Sequence, residues 1–283
     1  MIKVETVEDL RGQLNQWRSA AERIALVPTM GNLHQGHVRL VERGHELADR
    51  LVVSIFVNPL QFGESEDLDA YPRTMADDMD KLVATGTDLL FAPPLSEVYR
   101  RPRAEQTLVQ VPGISEILCG ASRPGHFTGV ATVVCKLFNM VQPDLAVFGE
   151  KDFQQLLVIR RMSEDLCIPV EIQSVPTVRE ADGLALSSRN AYLTPEQRDR
   201  APALYRVLTA MAESIRAGET DYPTLEQEGR QGLEAAGLRP DYLQIRCARD
   251  LGEVKPEERE LVILAAAFLG RARLIDNFTL TLN

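Results

Sequence analysis

Basic charge is scarce in this sequence of 283 residues, which has 31 lysines and arginines against 41 aspartates and glutamates and a net charge of −10. Proteins whose main role is to hold nucleic acid usually have a basic surplus, so we expect no nucleic-acid partner. An acidic protein can still bind an anion such as ATP through a local cluster of hydrogen-bond donors. Any such cluster should therefore be visible as a motif.

Paired cysteines and long apolar runs are also missing. The chain has no C-x-x-C pair, which argues against a disulfide framework or a zinc site, and its cysteines are scattered at Cys119, Cys135, Cys167 and Cys247. Reduced thiols of this kind are typical of the cytoplasm. The longest apolar run, LVILAAAFLG, is too short to span a membrane, and the charged MIKVETVEDLRGQ is unlike a signal peptide. We expect a cytoplasmic protein without membrane contact.

Short apolar runs at regular spacing predict the fold of residues 1–176. IALVP at 24–28 and LVVSIFV at 51–57 are apolar on both faces, as strands buried in a parallel sheet are. Segments of helical periodicity follow each run, including Met75–Ala84. The alternation predicts an α/β fold, a Rossmann-like doubly wound parallel sheet. Further strands are predicted at 88–93, 144–149 and 170–178.

Residues 177–283 have a different character. Thr194 and Pro195 are of the types preferred at the N-cap and first position of a helix, which we predict through 193–218. A second helix is predicted after Asp221, and DYLQIRCA, LVILAAAFLG and ARLIDNFTLTL are predicted strands. This pattern predicts a smaller α+β C-terminal domain.

The stretch VPTMGNLHQGHVRL holds two of the four histidines, His34 and His37. It leaves a predicted strand and enters a helix that we expect to begin near Gln35. In a doubly wound sheet ligands lie at the carboxyl ends of strands, and the N–H groups of a helix N-terminus attract anions. Histidines three residues apart point the same way, and Gly36 leaves room for a flat group or a phosphate chain to press against the backbone. The plain alternative is two ordinary surface histidines, and a zinc site lacks nearby further ligands.

Two other segments offer donors to phosphate. GEKDFQQL ends a predicted strand and opens a helix, which gives Lys151 the position of a phosphate contact. LALSSRN provides the hydroxyl groups of Ser187 and Ser188 and the guanidinium of Arg189, a set that suits a polyphosphate. An ordinary capped helix start with a solvated lysine is the alternative for the first segment. Taken alone, the second segment is better explained as a plain serine-rich loop.

Neutral amides and paired carboxylates follow another predicted strand. FVNPLQF places Asn58 and Gln61 in an apolar setting, which suits a small hydroxy acid better than a sugar phosphate. Asp77 and Asp78 lie near the start of a predicted helix and are candidates for a magnesium site, although a solvated acidic helix face explains them better. For His126 in SRPGHFTGV, a core or capping role competes with catalysis.

Together these motifs resemble the pantoate–β-alanine ligase family. The chain contains, in the family's order, PTMGNLHQGH, SIFVNPLQF, YPRT, SRPGHFTGV, FGEKDFQQL, DGLALSSRN with YLT, and RLIDN. H-x-G-H also resembles the signature of the wider nucleotidyltransferase superfamily. The resemblance implies an ATP- and pantoate-binding domain at 1–176, a C-terminal lid domain at 177–283 and a homodimer. It implies ATP-dependent condensation of (R)-pantoate with β-alanine to pantothenate through a pantoyl adenylate, with AMP and pyrophosphate released.

The resemblance also assigns roles to the ATP-binding residues. His34, His37 and Lys151 would be catalytic, with the histidines stabilising the transition state at the α-phosphorus and His37 as the family's proton donor. Val178 would touch the adenine. The full set of ATP-binding residues would be Met30, Gly31, Asn32, Leu33, His34, Gln35, Gly36, His37, Gly149, Glu150, Lys151, Asp152, Val178, Leu186, Ser187, Ser188 and Arg189.

The resemblance also assigns carboxylates to Mg²⁺ and side-chain amides to pantoate and β-alanine. Asp77 and Asp78 match positions that bind Mg²⁺ in some members, but Lys81 stands where the family pattern has glutamine. The ATP oxygens would then supply most of the ligands to Mg²⁺. The substrate-binding residues for pantoate, and for β-alanine near Gln61, would be Gln61, Gln155 and Asn58.

Three other functions fit parts of the pattern. An adenylyltransferase that moves AMP onto a phosphorylated acceptor would need further basic residues, against which the apolar NPLQF segment argues. A class I aminoacyl-tRNA synthetase would be longer and would carry an anticodon module. A non-catalytic nucleotide sensor would have little reason to keep both histidines and Lys151 beside a second small-molecule pocket.

Overall fold

Two compact units make up the chain. The first contains Met1–Glu150 and Gln155–Pro176, and the second contains Lys151–Gln154 and Thr177–Asn283. The structure, a computed structural model, describes residues 1–63, 68 and 71–282. The sequence predicts two continuous domains, 1–176 and 177–283. In the structure, Lys151–Gln154 belongs to the C-terminal unit, so the first unit is interrupted there. The roles assigned to the two domains stay predictions.

Strands and helices alternate up to residue 176. The elements are β1 (Ile2–Val4), α1 (Val7–Ser19), β2 (Ile24–Thr29), α2 (Gln35–Leu47), β3 (Arg50–Ile55), α3 (Met75–Ala84), β4 (Leu89–Phe91), α4 (Leu95–Val98), α5 (Cys119–Ser122), α6 (His126–Val141), β5 (Leu145–Gly149), α7 (Phe153–Asp165) and β6 (Glu171–Val175). The sheet has the order β1-β4-β3-β2-β5-β6, and every neighbouring pair is parallel. Chain order reverses between β2 and β5, which confirms the predicted Rossmann-like doubly wound sheet.

Helix α2 is fixed against the sheet by its apolar stripe. Leu40 and Val41 share a buried cluster with Ala25 and Val27 of β2. Because a Cβ at Gly44 would lie 2.6 Å from Leu51 Cδ1, glycine allows the helix to approach β3 closely. The short turn from β2 therefore delivers the N-terminus of α2 to the carboxyl edge of the sheet.

The first strand and first helix are absent from the sequence predictions. Helix α1 buries Leu10, Leu14 and Trp17, whose spacing of four and three residues is the helical signal that identifies it. Elsewhere the predicted helix Met75–Ala84 is confirmed as α3. In the described ranges, no helix has the length and apolar character needed to span a membrane.

The C-terminal unit is an antiparallel sheet packed with helices, which confirms the predicted smaller α+β domain. Its elements are α8 (Pro195–Arg200), α9 (Ala203–Arg216), α10 (Tyr222–Ala235), β7 (Arg239–Cys247), β8 (Glu260–Leu269) and β9 (Ala272–Thr281), with sheet order β7-β8-β9. Thr194 is the N-cap of α8, as predicted. The prediction of one helix through 193–218 is wrong, because Pro202 has no N–H to continue α8 and a new helix begins after it.

Candidate active site

The two histidines cap the N-terminus of α2. Nδ1 of His34 accepts a hydrogen bond from the N–H of Gly36 at 3.1 Å, and Nδ1 of His37 accepts one from the N–H of His34 at 3.2 Å. This reciprocal pattern resembles a capping box built from imidazoles. Because Nδ1 accepts in each ring, a neutral ring carries its proton on Nε2. The rings, with centroids 4.2 Å apart, therefore present two N–H donors at the helix N-terminus.

Gly36 makes room for an imidazole ring. A Cβ at this position would lie 2.8 Å from Cε1 and 2.9 Å from Nδ1 of His34. Of the two groups predicted for this space, a flat group or a phosphate chain, the structure places a flat one there, the ring of His34. The absence of a side chain at Gly36 allows His34 to cap the N-terminus of α2.

The turn that carries the histidines is held from helix α3. Oδ2 and Oδ1 of Asp78 accept hydrogen bonds from the N–H groups of Asn32 and Leu33 at 2.8 and 2.7 Å. The Thr74 hydroxyl donates to the same carboxylate at 3.1 Å. Nζ of Lys81 donates to the carbonyl of Leu33 at 2.7 Å. Both main-chain polar groups of Leu33 are thus bound by one helix.

The backbone of this turn also needs special residue types. Gly31 and Asn32 have left-handed φ angles of 82° and 51°. Glycine and asparagine tolerate this region best. A Cβ at Gly31 would lie 3.1 Å from Oδ2 of Asp78, so the carboxylate packs directly under the turn.

The carboxylates of Asp77 and Asp78 do not fit a magnesium site. Neighbouring residues of a helix point about 100° apart, so the two groups do not converge. Asp78 is 1% exposed and accepts from three donors, whereas Asp77 is exposed. Among the residues that the structure describes, no group of three or more histidine, cysteine, aspartate or glutamate side chains could hold a metal ion. We therefore assign Asp78 to the turn and not to a metal.

Replacing Asp78 with asparagine should lower kcat while leaving the Mg²⁺ requirement unchanged. The new amide nitrogen would face the N–H of Asn32 or of Leu33, at a cost of about 1–3 kcal/mol, and the histidine turn would lose a hydrogen bond that holds it. Rates measured over graded Mg²⁺ concentrations at saturating ATP check this. The exposed Asp77→Asn is the matched control and should change neither quantity. A normal kcat with a raised half-saturating Mg²⁺ concentration in Asp78→Asn would instead identify a metal ligand.

Asn58 and Gln61 lie after β3 in a closed hydrogen-bond network. Oδ1 of Asn58 accepts from the Tyr99 hydroxyl at 2.8 Å, and its Nδ2 donates to Oε1 of Gln61 and the carbonyl of Gly129 at 3.0 and 3.1 Å. Nε2 of Gln61 lies 3.0 Å from Sδ of Met30, in the histidine turn. Burial raises the pKa of Tyr99 far above its usual range, so the hydroxyl remains a donor. Sequence reasoning missed Tyr99.

The start of α6 holds the main chain of Gln61. Nδ1 of His126 lies 2.8 Å from the Gln61 carbonyl oxygen, to which Nη2 of Arg123 also donates at 3.3 Å. A Cβ at Gly129 would lie 2.3 Å from the carbonyl oxygen of Leu60, so glycine is required for this approach. These contacts favour a positioning role for His126.

Other predicted residues follow strand β5. Gly149 ends the strand, and Oε1 of Glu150 accepts a hydrogen bond from the Ser174 hydroxyl at 2.8 Å. Lys151 comes next in a 3-10 turn, with Nζ 3.6 Å from Oδ2 of Asp152. Gln155 is half-buried in the first turn of α7.

A short hairpin, residues 178–186, leads to the serine pair. The N–H of Leu186 donates to the carbonyl of Val178 at 2.9 Å, so these two predicted ATP contacts lie opposite each other. Ser187 caps the following 3-10 turn, Ser188–Tyr192, and accepts from the N–H of Arg189 at 3.3 Å. The structure thus brings the predicted adenine and phosphate contacts of the C-terminal unit together.

Comparison with known proteins decides the family. The sequence profile of the pantoate–β-alanine ligase family matches residues 2–279. The chain belongs to the pantoate–β-alanine ligase family. A pantothenate synthetase of Pseudomonas fluorescens (strain Pf0-1) is 60% identical over 283 residues, covering 100% of this chain and 99% of the relative. Membership in the pantoate–β-alanine ligase family confirms the predicted enzyme class, a ligase of pantothenate biosynthesis.

Solved structures of pantoate–β-alanine ligases share the fold over almost the whole chain. The pantothenate synthetase of Thermus thermophilus has a TM-score of 0.92 at 49% identity, covering 98% of this chain and 99% of that one. The pantoate–β-alanine ligase of Francisella tularensis, complexed with β-γ ATP and β-alanine, has a TM-score of 0.81 at 32% identity, covering 98% and 97%. The predicted use of ATP is thereby supported, while the individual site residues stay predictions.

Proposed function

We propose that this chain condenses (R)-pantoate with β-alanine to pantothenate in two steps, through a pantoyl adenylate, with ATP converted to AMP and pyrophosphate. The ligase activity follows from family membership across the chain. The observation that carries the adenylation step is the imidazole cap of α2, where His34 and His37 each have Nδ1 engaged by the backbone. Two Nε2–H donors at a helix N-terminus suit a phosphate that gains charge as it reacts.

In the first step, a pantoate carboxylate oxygen attacks the α-phosphorus in line. A new P–O bond forms, the bond to the β-phosphate oxygen breaks, and pyrophosphate leaves with the electron pair. This reaction needs positioning and charge stabilisation more than covalent help. We assign that role to His34, His37 and Lys151, together with the donors Ser187, Ser188 and Arg189. The remaining predicted ATP contacts flank these residues in the sequence, except Val178, which lies opposite Leu186 in the 178–186 hairpin.

Pantoate is assigned to the amide network that follows β3. Asn58 is held by neutral partners, the Tyr99 hydroxyl and the Gly129 carbonyl, and its Nδ2 in turn donates to Oε1 of Gln61. Uncharged donors and acceptors in an apolar setting suit a small hydroxy acid. Gln155, half-buried in α7, is the third proposed pantoate contact, and Gln61 is also proposed to lie near β-alanine.

In the second step, the deprotonated amine of β-alanine attacks the acyl carbon. A C–N bond forms, the C–O bond to AMP breaks, and the amine proton leaves to solvent or to the departing phosphate. An acyl adenylate is open to hydrolysis, so we propose that the C-terminal domain acts as a lid that excludes water. We further propose that Mg²⁺ enters bound to ATP oxygens, that the protein is cytoplasmic, as its scattered cysteines indicate, and that it is a homodimer, as its family resemblance implies.

Exchange of labelled pyrophosphate into ATP tests the first step directly. With Mg²⁺ and no β-alanine present, we expect exchange only when pantoate is added, because a reversible acyl adenylate requires the carboxylate. Omitting pantoate is the internal control. No exchange with pantoate, but exchange with the adenylylated product of a phosphorylated acceptor, would favour an adenylyltransferase. If ATP binds but no exchange occurs with either pantoate or the adenylylated product, the remaining interpretation is a nucleotide sensor.

A further inference from the structure

Two adjacent polar residues are buried in edge strand β9. Asp276 and Asn277 are 4% and 7% exposed, opposite Ala265 and Leu264 of β8. A buried carboxylate or amide costs free energy unless it is hydrogen-bonded, and the apolar neighbours in the sheet cannot satisfy these side chains. Their actual partners therefore indicate what they do.

Asp276 holds Arg179 in place. Nη1 and Nη2 of Arg179 donate to the two carboxylate oxygens at 2.6 and 2.8 Å, a bidentate charge-assisted pair. The guanidinium lies 3.6 Å from the centroid of the Tyr205 ring and also donates to the carbonyl of Gly183 at 3.1 Å. The N–H of Asn277 donates to the same carboxylate at 2.8 Å. Arg179 is thus fixed on several sides.

Fixing Arg179 fixes the 178–186 hairpin. Arg179 pairs with Ala185 across the hairpin, and its guanidinium bridges the hairpin tip at Gly183 to strand β9. The chain leaves this hairpin directly into Ser187, whose hydroxyl caps the next turn. The Asp276 carboxylate is thus connected, through Arg179, to the hairpin that directly precedes the serine pair.

Asn277 holds the other phosphate-binding segment. Its Nδ2 donates to the main-chain carbonyl of Lys151 at 3.0 Å. Adjacent residues of a strand point to opposite faces of a sheet, so one strand can bind two separate segments with consecutive side chains. Because this bond is to the main chain, it positions the backbone of Lys151 and leaves the ammonium group uninvolved.

We propose that Asp276 and Asn277 are positioning residues that hold the 178–186 hairpin and the Lys151 turn at a fixed separation. The inference rests on the proposed function for the assignment of Lys151, Ser187, Ser188 and Arg189 to the phosphates of ATP. It gives the DN pair of the RLIDN motif a role that the reaction itself does not assign. Neither residue needs to touch ATP.

Two conservative variants test the proposal. Asn277→Asp removes the Nδ2 donor and sets a carboxylate against the Lys151 carbonyl, and Asp276→Asn removes the charge that pairs with Arg179. Misplaced contacts should weaken ATP binding or lower the kcat of pyrophosphate exchange by about 10- to 100-fold, with the KM for pantoate unchanged. Calorimetric titration with ATP, exchange kinetics and urea unfolding give the three readouts.

Asp241→Asn is the matched control. Asp241 of β7 forms an ion pair at 2.7 Å with Arg273, which lies on the same strand, β9, as Asp276. The Arg273 side chain is about as buried as that of Arg179. We expect this variant to lower the urea midpoint while ATP affinity and kcat stay normal. Asp276→Asn and Asn277→Asp variants that lose only stability, as the control does, would overturn the proposal. If the wild-type protein shows no pantoate-dependent exchange, the proposed function fails, and ATP affinity alone still decides the positioning role.

Discussion

Truncation of His37 to alanine should slow pantoate-dependent pyrophosphate exchange by about two to four decades, on the order of 3–5 kcal/mol of transition-state stabilisation. Nδ1 of His37 is engaged by the N–H of His34, so the ring directs its Nε2–H donor away from its own backbone. A donor that strengthens as charge develops on the α-phosphate lowers the barrier more than it improves ATP binding. The expected loss is therefore in kcat, with a small change in ATP affinity.

The cap and the donor can be separated by a second substitution. His37→Asn keeps an acceptor for the His34 N–H but lacks a group at the position of Nε2. We expect this variant to unfold at the same urea concentration as the wild type and to react as slowly as His37→Ala. His45→Gln, near the C-terminal end of the same helix, is the matched control and should keep the wild-type rate. A near-normal rate in His37→Ala would remove His37 from the mechanism.

Local patterns were sufficient to predict much of the fold. The residue types at Thr194 and Pro195 identify a helix start that the structure confirms, and Met75–Ala84 is a helix with the predicted bounds. Both depend on interactions within one or two turns, which is the range over which sequence periodicity and capping act. The doubly wound sheet could also be predicted, because apolar strands that alternate with helices require parallel crossover connections.

Residues that hold the site were out of reach of the same reasoning. Asp78 meets Asn32 and Leu33 across 46 and 45 residues, and Tyr99 meets Asn58 across 41. Such contacts depend on where separate elements meet, which the spacing of residues within one element does not contain. A carboxylate at a helix start looks the same in sequence whether it binds a metal, solvent or a neighbouring turn. Only the positions of its donors distinguish these roles.

Glycine positions show the same limit on a smaller scale. The glycine of H-x-G-H suggests open space beside the backbone, and the structure fills that space with the His34 ring. Gly129 looks like an ordinary helix residue, yet a Cβ there would collide with the Leu60 carbonyl. In both cases the residue type indicates close packing, while the identity of the neighbour requires coordinates.

Lys151→Met should lower the kcat of exchange by about two to four decades, because it removes a charge proposed to act on the transferring phosphate while keeping most of the aliphatic stem. The Lys151 side chain is 19% exposed, and its carbonyl is bound by Asn277, so the main-chain contact is available to methionine as well. The folded turn should then persist, and the loss can be assigned to the ammonium group. Rates at saturating ATP and pantoate measure it, with the exposed Lys255→Met as the matched control. An unchanged kcat with a raised KM for pantoate would assign the charge to the other substrate, because a group that binds the ground state and the transition state equally well leaves the rate at saturation unaltered.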